Sequence, residues 1–321
     1  MCGIIHCKTK KLAKRIIRKR FMKQKARGTE GFGYVEIKKG IVQAPVRSVT
    51  EKEILSKLKD STADEILFHH RIPTSTPNFI ESTHPIKVSN PKLRYDYYVI
   101  HNGIISNDKE LYAEHKKLGF DYTTEIRKEW ITTGKTYFEM AYNDSECLAV
   151  DFALSVENKT EMKSEGSIAI IALQYDKKSH KAVNLLWGRN TGSPLCEEVS
   201  KDMLCLSSES GQTIPVDILY SMEYKTGKIT SENKNIGDYA YSYSSWDYNG
   251  YIRSDVDMPE SRKKYLEESD YFIDKYEEID YLTDKIKEAE RIADYDKVME
   301  LESELYELQL EVQEAEYALS K

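Results

Sequence analysis

The chain has 321 residues, 40% of them hydrophobic, which is enough to bury a sizeable core and, by length alone, to form about two domains. No apolar run approaches the ~18 residues of a membrane span, and the five cysteines (Cys2, Cys7, Cys147, Cys196, Cys205) lack paired metal spacing, which argues against a membrane protein or disulfide scaffold and for a reducing, cytoplasmic compartment. The net charge of -7 is uneven, since Glu260 to Lys321 holds 20 acidic against 9 basic residues and the remainder 34 against 38, so a slightly basic body carries an acidic appendage.

In chain order, Cys2 precedes a short apolar strand, Gly3 to Ile5. Clipping of Met1 would leave Cys2 with both a thiol and a free α-amino group, whose pKa of about 8 suits it to accept the thiol proton. The simpler alternative is a small apolar side chain opening a buried strand. From Lys8 to Arg27, 11 of 20 residues are Lys or Arg and none is acidic. Leu12, Ile16, Ile17 and Met22 recur at helical spacing, so the stretch reads as a helix with one buried stripe and a basic face. That face is either solvated or a patch for nucleic acid or another polyanion over Lys8 to Lys25, the solvated face being the simpler of the two.

The loop Arg27-Gly28-Thr29-Glu30-Gly31-Phe32-Gly33 then permits close backbone approach, without any nucleotide-binding spacing. An alternating strand, Tyr34 to Ile37, follows it. A second apolar strand, Ile66 to Phe68, runs into His69-His70-Arg71-Ile72-Pro73-Thr74-Ser75-Thr76 and then Thr83-His84-Pro85-Ile86. Polar groups clustered at a strand end are how a scaffold presents a site. His69, His70, His84 and His101 raise the question of a metal, but adjacent strand residues face opposite ways and no convergent carboxylate or cysteine pattern appears, so none is expected. Tyr97 to Ile100 reads as a strand, followed by a tight turn at His101-Asn102-Gly103. There the Asn amide and the Gly N–H could alternatively donate to a developing oxyanion.

Taken together and in this order, these segments resemble the class II glutamine amidotransferases, the N-terminal-nucleophile family seen in asparagine synthetase, glutamate synthase and glucosamine-phosphate synthase. The resemblance extends through Asn143-Asp144-Ser145-Glu146, Gly166 to Ile171, Gly188 to Leu195 and Leu206 to Ser210, and so covers Cys2 to about Ser231. Glu30 departs from it where the family usually has Asp. It implies that Cys2 attacks the side-chain amide of glutamine to give a γ-glutamyl thioester, with no cofactor and no metal. Asn102 and Gly103 would form the oxyanion hole, and Arg71, Thr74 and Asp144 would hold the substrate's carboxylate and ammonium groups. Arg27 and Gly28 would shape the pocket beside the nucleophile. The implied fold is α+β, a four-layer αββα sandwich of the Ntn-hydrolase type, and the strands at Tyr34 to Ile37, Tyr97 to Ile100, Ile168 to Leu173 and Val183 to Trp187 suit it.

Residues 1–236 would form this domain. A Tyr- and Ser-rich linker, 237–258, would join it to an acidic segment, 259–321. There Phe272, Tyr276, Ile279, Leu282, Ile286, Ala289 and Ala293 form one helical run and Leu301, Leu305, Leu308, Val312, Ala315 and Leu319 a second. The phase break between them, with Asp294 as a cap, favours an α-helical hairpin over one continuous coiled coil. Neither a synthetase domain nor a nucleotide-binding loop follows. The acceptor enzyme is therefore expected to be a separate protein, with homo-oligomerisation or partner docking through the C-terminal helices. A stand-alone γ-glutamyl amide or peptide hydrolase and a catalytically idle scaffold are the alternative functions.

Overall fold

A computed structural model describes residues 2–10, 12–72, 79–132, 135–239, 275, 278–279, 281–283, 285–291 and 294–319. The chain divides into two units, Met1–Asp247 and Tyr248–Lys321. The first begins with β1 (Gly3–Thr9), α1 (Ala13–Gln24), β2 (Gly31–Lys38), β3 (Ile41–Val42), β4 (Val46–Ser48), α2 (Glu51–Lys59) and β5 (Glu65–Arg71). It continues with β6 (Ile86–Val88), β7 (Asp96–Ile105), α3 (Asp108–Lys117), β8 (Ile126–Thr132), β9 (Lys135–Ala141) and α4 (Asp144–Asn158). The last strands are β10 (Gly166–Tyr175), β11 (Ala182–Arg189), β12 (Cys196–Ser200), β13 (Met203–Ser207), β14 (Gln212–Thr213), β15 (Ile218–Glu223) and β16 (Ile229–Asn233).

Two antiparallel sheets organise this unit. One runs β14-β12-β13-β1-β5-β2-β3 with β4 beside β2, the other β16-β15-β11-β10-β7-β6, and β8 and β9 form a separate hairpin. Strand alternation sends successive side chains to opposite faces. Ile4, Val35, Leu67 and Leu206 of the first sheet meet Ile100, Ile171, Leu173 and Trp187 of the second in one buried cluster. The opposite face of the first sheet, with Ile5, Cys7, Phe32 and Phe68, buries Ala13, Ile17 and Phe21 of α1 and Ile54 and Leu58 of α2. The outer face of the second sheet, with Val99, Ile168 and Ile170, buries Leu111 of α3 and Leu148 and Phe152 of α4. Because both faces of the central strands are covered, they read as continuous apolar runs in the sequence.

The basic segment differs from its sequence reading in two ways. Lys8 and Thr9 belong to β1, and the buried positions of α1 are Ala13, Ile17, Phe21 and Gln24. Leu12, Ile16 and Met22 are only half-buried, because the helix turns its 13-17-21-24 edge to the sheet. Its basic face is partly paired, Arg20 with Glu198 and Lys25 with Glu51.

In the second unit, helical residues between 275 and 291 precede α5 (Tyr295–Leu319). Asp294 caps α5 by accepting from the Lys297 N–H at 3.1 Å. Leu282, Ile286, Ala289, Leu301 and Leu308 form a small apolar cluster. Phe272, Tyr276, Ala293 and most of the proposed linker, 240–258, lie outside the described residues. Among the described residues no helix is long and apolar enough to cross a membrane.

Candidate functional site

Register places the first site residues. β1 pairs with β5 so that Gly3 faces His70 and Ile4 faces His69, and β2 pairs with β5 so that Gly31 faces Arg71. Cys2, just before β1, and Arg71, the last residue of β5, thus lie at the same end of the first sheet. Two further segments pin this end. Arg27 Nε donates to the Cys2 carbonyl at 3.3 Å while its Nη1 reaches Glu209 Oε1 at 2.8 Å. Ile4 N–H donates to Ser208 Oγ and Ser208 N–H donates to the Ile4 carbonyl, both at 3.1 Å. Gly28 lies flat against the end of β5, where a Cβ would stand 2.6 Å from the His70 carbonyl carbon and oxygen. Next to it, the Glu30 N–H donates to the Arg71 carbonyl at 3.0 Å.

The Cys2 thiol is partly exposed and lies 3.6 Å from the Ile72 carbonyl, to which it donates. Burial pushes this thiol above its ordinary value, the Arg71 charge opposes that shift and the Asp144 charge adds to it. Burial in turn lowers the Arg71 guanidinium, against the influence of Cys2, Asp144 and Glu30. Cys2, Arg71 and Asp144 are therefore electrostatic neighbours, although they come from three distant segments.

Asp144 is the first residue of α4, where the helix dipole favours a carboxylate. Its Oδ2 accepts from the Ile105 N–H at 2.9 Å, which ties it to the end of β7. The preceding Asn143 caps the helix through Ser145 N–H and donates from Nδ2 to the Ser82 carbonyl at 2.7 Å. Glu146 accepts from the N–H and hydroxyl groups of both Thr123 and Thr124, which fastens the incoming loop.

Asn102 and Gly103 do not form the tight turn read from their sequence. They lie inside β7, opposite Ala169 and Ile168 of β10. Gly103 has φ +148°, and a Cβ there would stand 1.7 Å from the Ser167 carbonyl oxygen. The close approach of β10, rather than a chain reversal, is what requires glycine here. Asn102 is fully buried, and neither atom of its side-chain amide has a hydrogen-bond partner among the described residues. An unpaired buried amide costs about 1–3 kcal/mol, so an acceptor that reaches it recovers about that much.

The histidines diverge as strand alternation demands. His70 turns to α1, with its ring 5.4 Å from that of Phe21, whereas His69 stacks on His84 at 4.0 Å. The His101 N–H donates to His84 Nδ1 at 3.2 Å, and His101 Nδ1 lies 2.8 Å from Ser145 Oγ. Burial lowers all four rings, His101 to about 4 and His70 to about 3. Among the described residues no group of three or more His, Cys, Asp or Glu could hold a metal ion.

Of the residues singled out in the sequence, Cys2, Arg27, Gly28 and Arg71 gather at one sheet end and Asp144 acts on two of them. Asn102 and Gly103 stand on the facing sheet, three and two residues before Ile105, whose amide Asp144 holds. Thr74 lies outside the described residues. Ser208 and Glu209 received no role in the sequence reading. Their signal was the segment Leu206 to Ser210, a polar run closing an apolar strand, through which the resemblance extends without assigning them a part.

No family model and no curated protein sequence matches the chain. Solved structures do. A glutamine phosphoribosylpyrophosphate (PRPP) amidotransferase from B. subtilis, solved with ADP and GMP, is similar at TM-score 0.51 and 16% identity, over 72% of this chain and 49% of its own. A structure described as the allosteric regulatory enzyme of purine biosynthesis is similar at TM-score 0.53 and 14% identity, with the same coverage of each chain. The chain spans about half the length of these proteins, and at such identities the likeness is one of fold. That fold agrees with the resemblance carried by the sequence motifs.

Proposed function

We propose that this chain hydrolyses the side-chain amide of glutamine through Cys2 and delivers the ammonia to a separate acceptor enzyme. The observation that carries the proposal is the placement of the Cys2 thiol between the influence of a buried guanidinium, Arg71, and a buried carboxylate, Asp144. A free amino acid carries complementary charges at one end. Its α-carboxylate would meet Arg71 and its α-ammonium Asp144, with the Thr74 hydroxyl adding a contact, and the side-chain amide would then extend towards the thiol.

Once Met1 is removed, the Cys2 α-amine takes the thiol proton and the sulfur attacks the amide carbon. The thiol's raised pKa makes such an adjacent base necessary near neutral pH. The charge that develops on the amide oxygen is taken up by Asn102 Nδ2 and the Gly103 N–H. The intermediate collapses with cleavage of the C–N bond, and the leaving nitrogen receives the proton from the α-ammonium and departs as ammonia. Water, deprotonated by the same amine, then cleaves the γ-glutamyl thioester to glutamate and regenerates the thiol. Arg27 and Gly28 act through position, since one holds the Cys2 carbonyl and the other lets the loop lie against β5.

The finer architecture belongs to the same proposal. The helix, sheet, sheet and helix clusters support a four-layer αββα sandwich of the Ntn-hydrolase type. Contact of Lys275 Nζ with Glu311 Oε2 at 2.9 Å, together with the shared apolar cluster, supports an antiparallel helical hairpin in the second unit. Glutamate and ammonia release by the purified chain, compared with Cys2→Ala, tests the chemistry. Turnover of glutamine that the variant loses by ~1000-fold or more is expected. Retained turnover in Cys2→Ala would remove Cys2 from the mechanism, and turnover restricted to larger γ-glutamyl amides would replace glutamine as the substrate.

A further inference from the structure

α5 carries two apolar seams. The inner one is occupied: Leu301 and Leu308 lie in the buried cluster with Leu282, Ile286 and Ala289, and Val298 and Leu305 pack against it. The outer one consists of Tyr295, Met299, Tyr306 and Leu310, which are between 39% and 72% exposed. Tyr295 and Tyr306 are eleven residues apart, as are Met299 and Leu310. Eleven residues make three turns at about 3.67 per turn, close to the helix's own ~3.6, so these side chains line up almost straight along one side. Single exposed apolar residues are ordinary on a surface. Two tyrosines, a methionine and a leucine along one helix side, with Glu302 between Met299 and Tyr306, instead have the composition of a protein contact, in which aromatic residues and Met are enriched.

The surroundings of the seam select its occupant. α5 holds eight acidic residues and a single basic one, Lys297, whose Nζ is engaged by Glu300 Oε2 at 2.7 Å. Glu300, Glu302, Glu304 and Glu307 are exposed. A second copy of α5 laid along the seam would bring eight further acidic groups against these, a like-charge rim that disfavours pairing. The basic helix α1 of another copy does not fit either, because its apolar side chains Ala13, Ile17 and Phe21 are buried on its own sheet. What fits is a helix with an apolar stripe to cover the tyrosines and cationic flanks to meet the glutamates.

We propose that the outer seam of α5, from Tyr295 to Leu310, docks an amphipathic cationic helix of another protein. This names a surface and a partner chemistry beyond the glutamine reaction, and it stands whether or not Cys2 is a nucleophile. The full chain is titrated by fluorescence anisotropy with a synthetic helix of three leucine–lysine heptads and with a scrambled peptide of identical composition. Sedimentation velocity follows the oligomeric state in parallel. The heptad peptide is expected to bind roughly tenfold or more tightly than the scrambled one. Tyr306→Ser with Leu310→Ser is expected to abolish that preference while leaving circular dichroism and glutamine turnover unchanged. Equal binding of the two peptides, or a preference that survives the double variant, overturns the proposal. A chain dimer that the double variant dissolves also overturns it, because the seam then belongs to a second copy.

Discussion

At Cys2 burial works against the proposed chemistry and its neighbours decide how far. Desolvation raises the thiol, Arg71 pulls it down and Asp144 pushes it up, so the ligand-free protein holds a neutral thiol at neutral pH. Alkylation of the ligand-free chain is therefore expected to rise with pH to a midpoint above that of an ordinary thiol, near ~8.5. A midpoint at or below it would contradict a shielded nucleophile. For the proposed clamp, Arg71→Ala and Asp144→Ala are each expected to raise the KM for glutamine roughly 100-fold or more, about 3 kcal/mol for leaving a buried substrate charge unpaired. An unchanged KM in both would remove the clamp. Asn102→Ala should instead lower kcat by about 100- to 1000-fold with little change in KM, as expected of a donor used mainly in the transition state. A raised KM with kcat unchanged would instead assign Asn102 to ground-state binding.

The elements explain why the site was only partly legible in the sequence. Cys2 and Arg71 stood out as reactive or charged groups beside apolar strands, at the start of β1 and the end of β5, whereas Asp144, in the first turn of α4, was named only through the family resemblance. Asn102 and Gly103 stood out as well, as a turn by composition and as an oxyanion hole through the resemblance. Local composition carries a strong Asn-Gly turn signal, whereas the strand conformation depends on β10, whose Ser167 carbonyl fills the space beside Gly103. The anchoring of β1 by Ser208 and Glu209 was equally hidden, since it joins residues about two hundred positions apart. Gly28 offers a test at this scale. Gly28→Ala would place a methyl 2.6 Å from the His70 backbone, so a loss of about 1–3 kcal/mol in stability and a fall in kcat are expected. Unaltered urea unfolding and turnover would show that the loop does not need to lie against β5.

Across the whole molecule, the apolar periodicity located the principal strands, while the layer each one joins depends on pairings that no local pattern encodes. The same layered burial makes the first unit acid-sensitive. His69, His70, His84 and His101 are held neutral by desolvation, His70 near 3 and His101 near 4, against about 6.5 in an unfolded chain. At these rings the unfolded state binds more protons in this window, so their contribution to stability rises with pH. The contribution is complete above pH ~6.5 and is lost as pH falls through the folded values, at ~1.4 kcal/mol per unit for each ring. Urea midpoints are expected to fall steeply between pH 6.5 and 4.5, an interval set by those pKa values. A flat profile over that interval would contradict the burial of the four rings.

The most direct measurement is the intact mass of natively expressed protein before and after exposure to a glutamine-mimicking diazo ketone, with glutamine as competitor. The expected result is a chain without Met1 that gains one adduct, mapped to Cys2 and prevented by excess glutamine. A chain that keeps Met1, or an adduct that glutamine does not suppress, would contradict Cys2 as the nucleophile of a glutamine site.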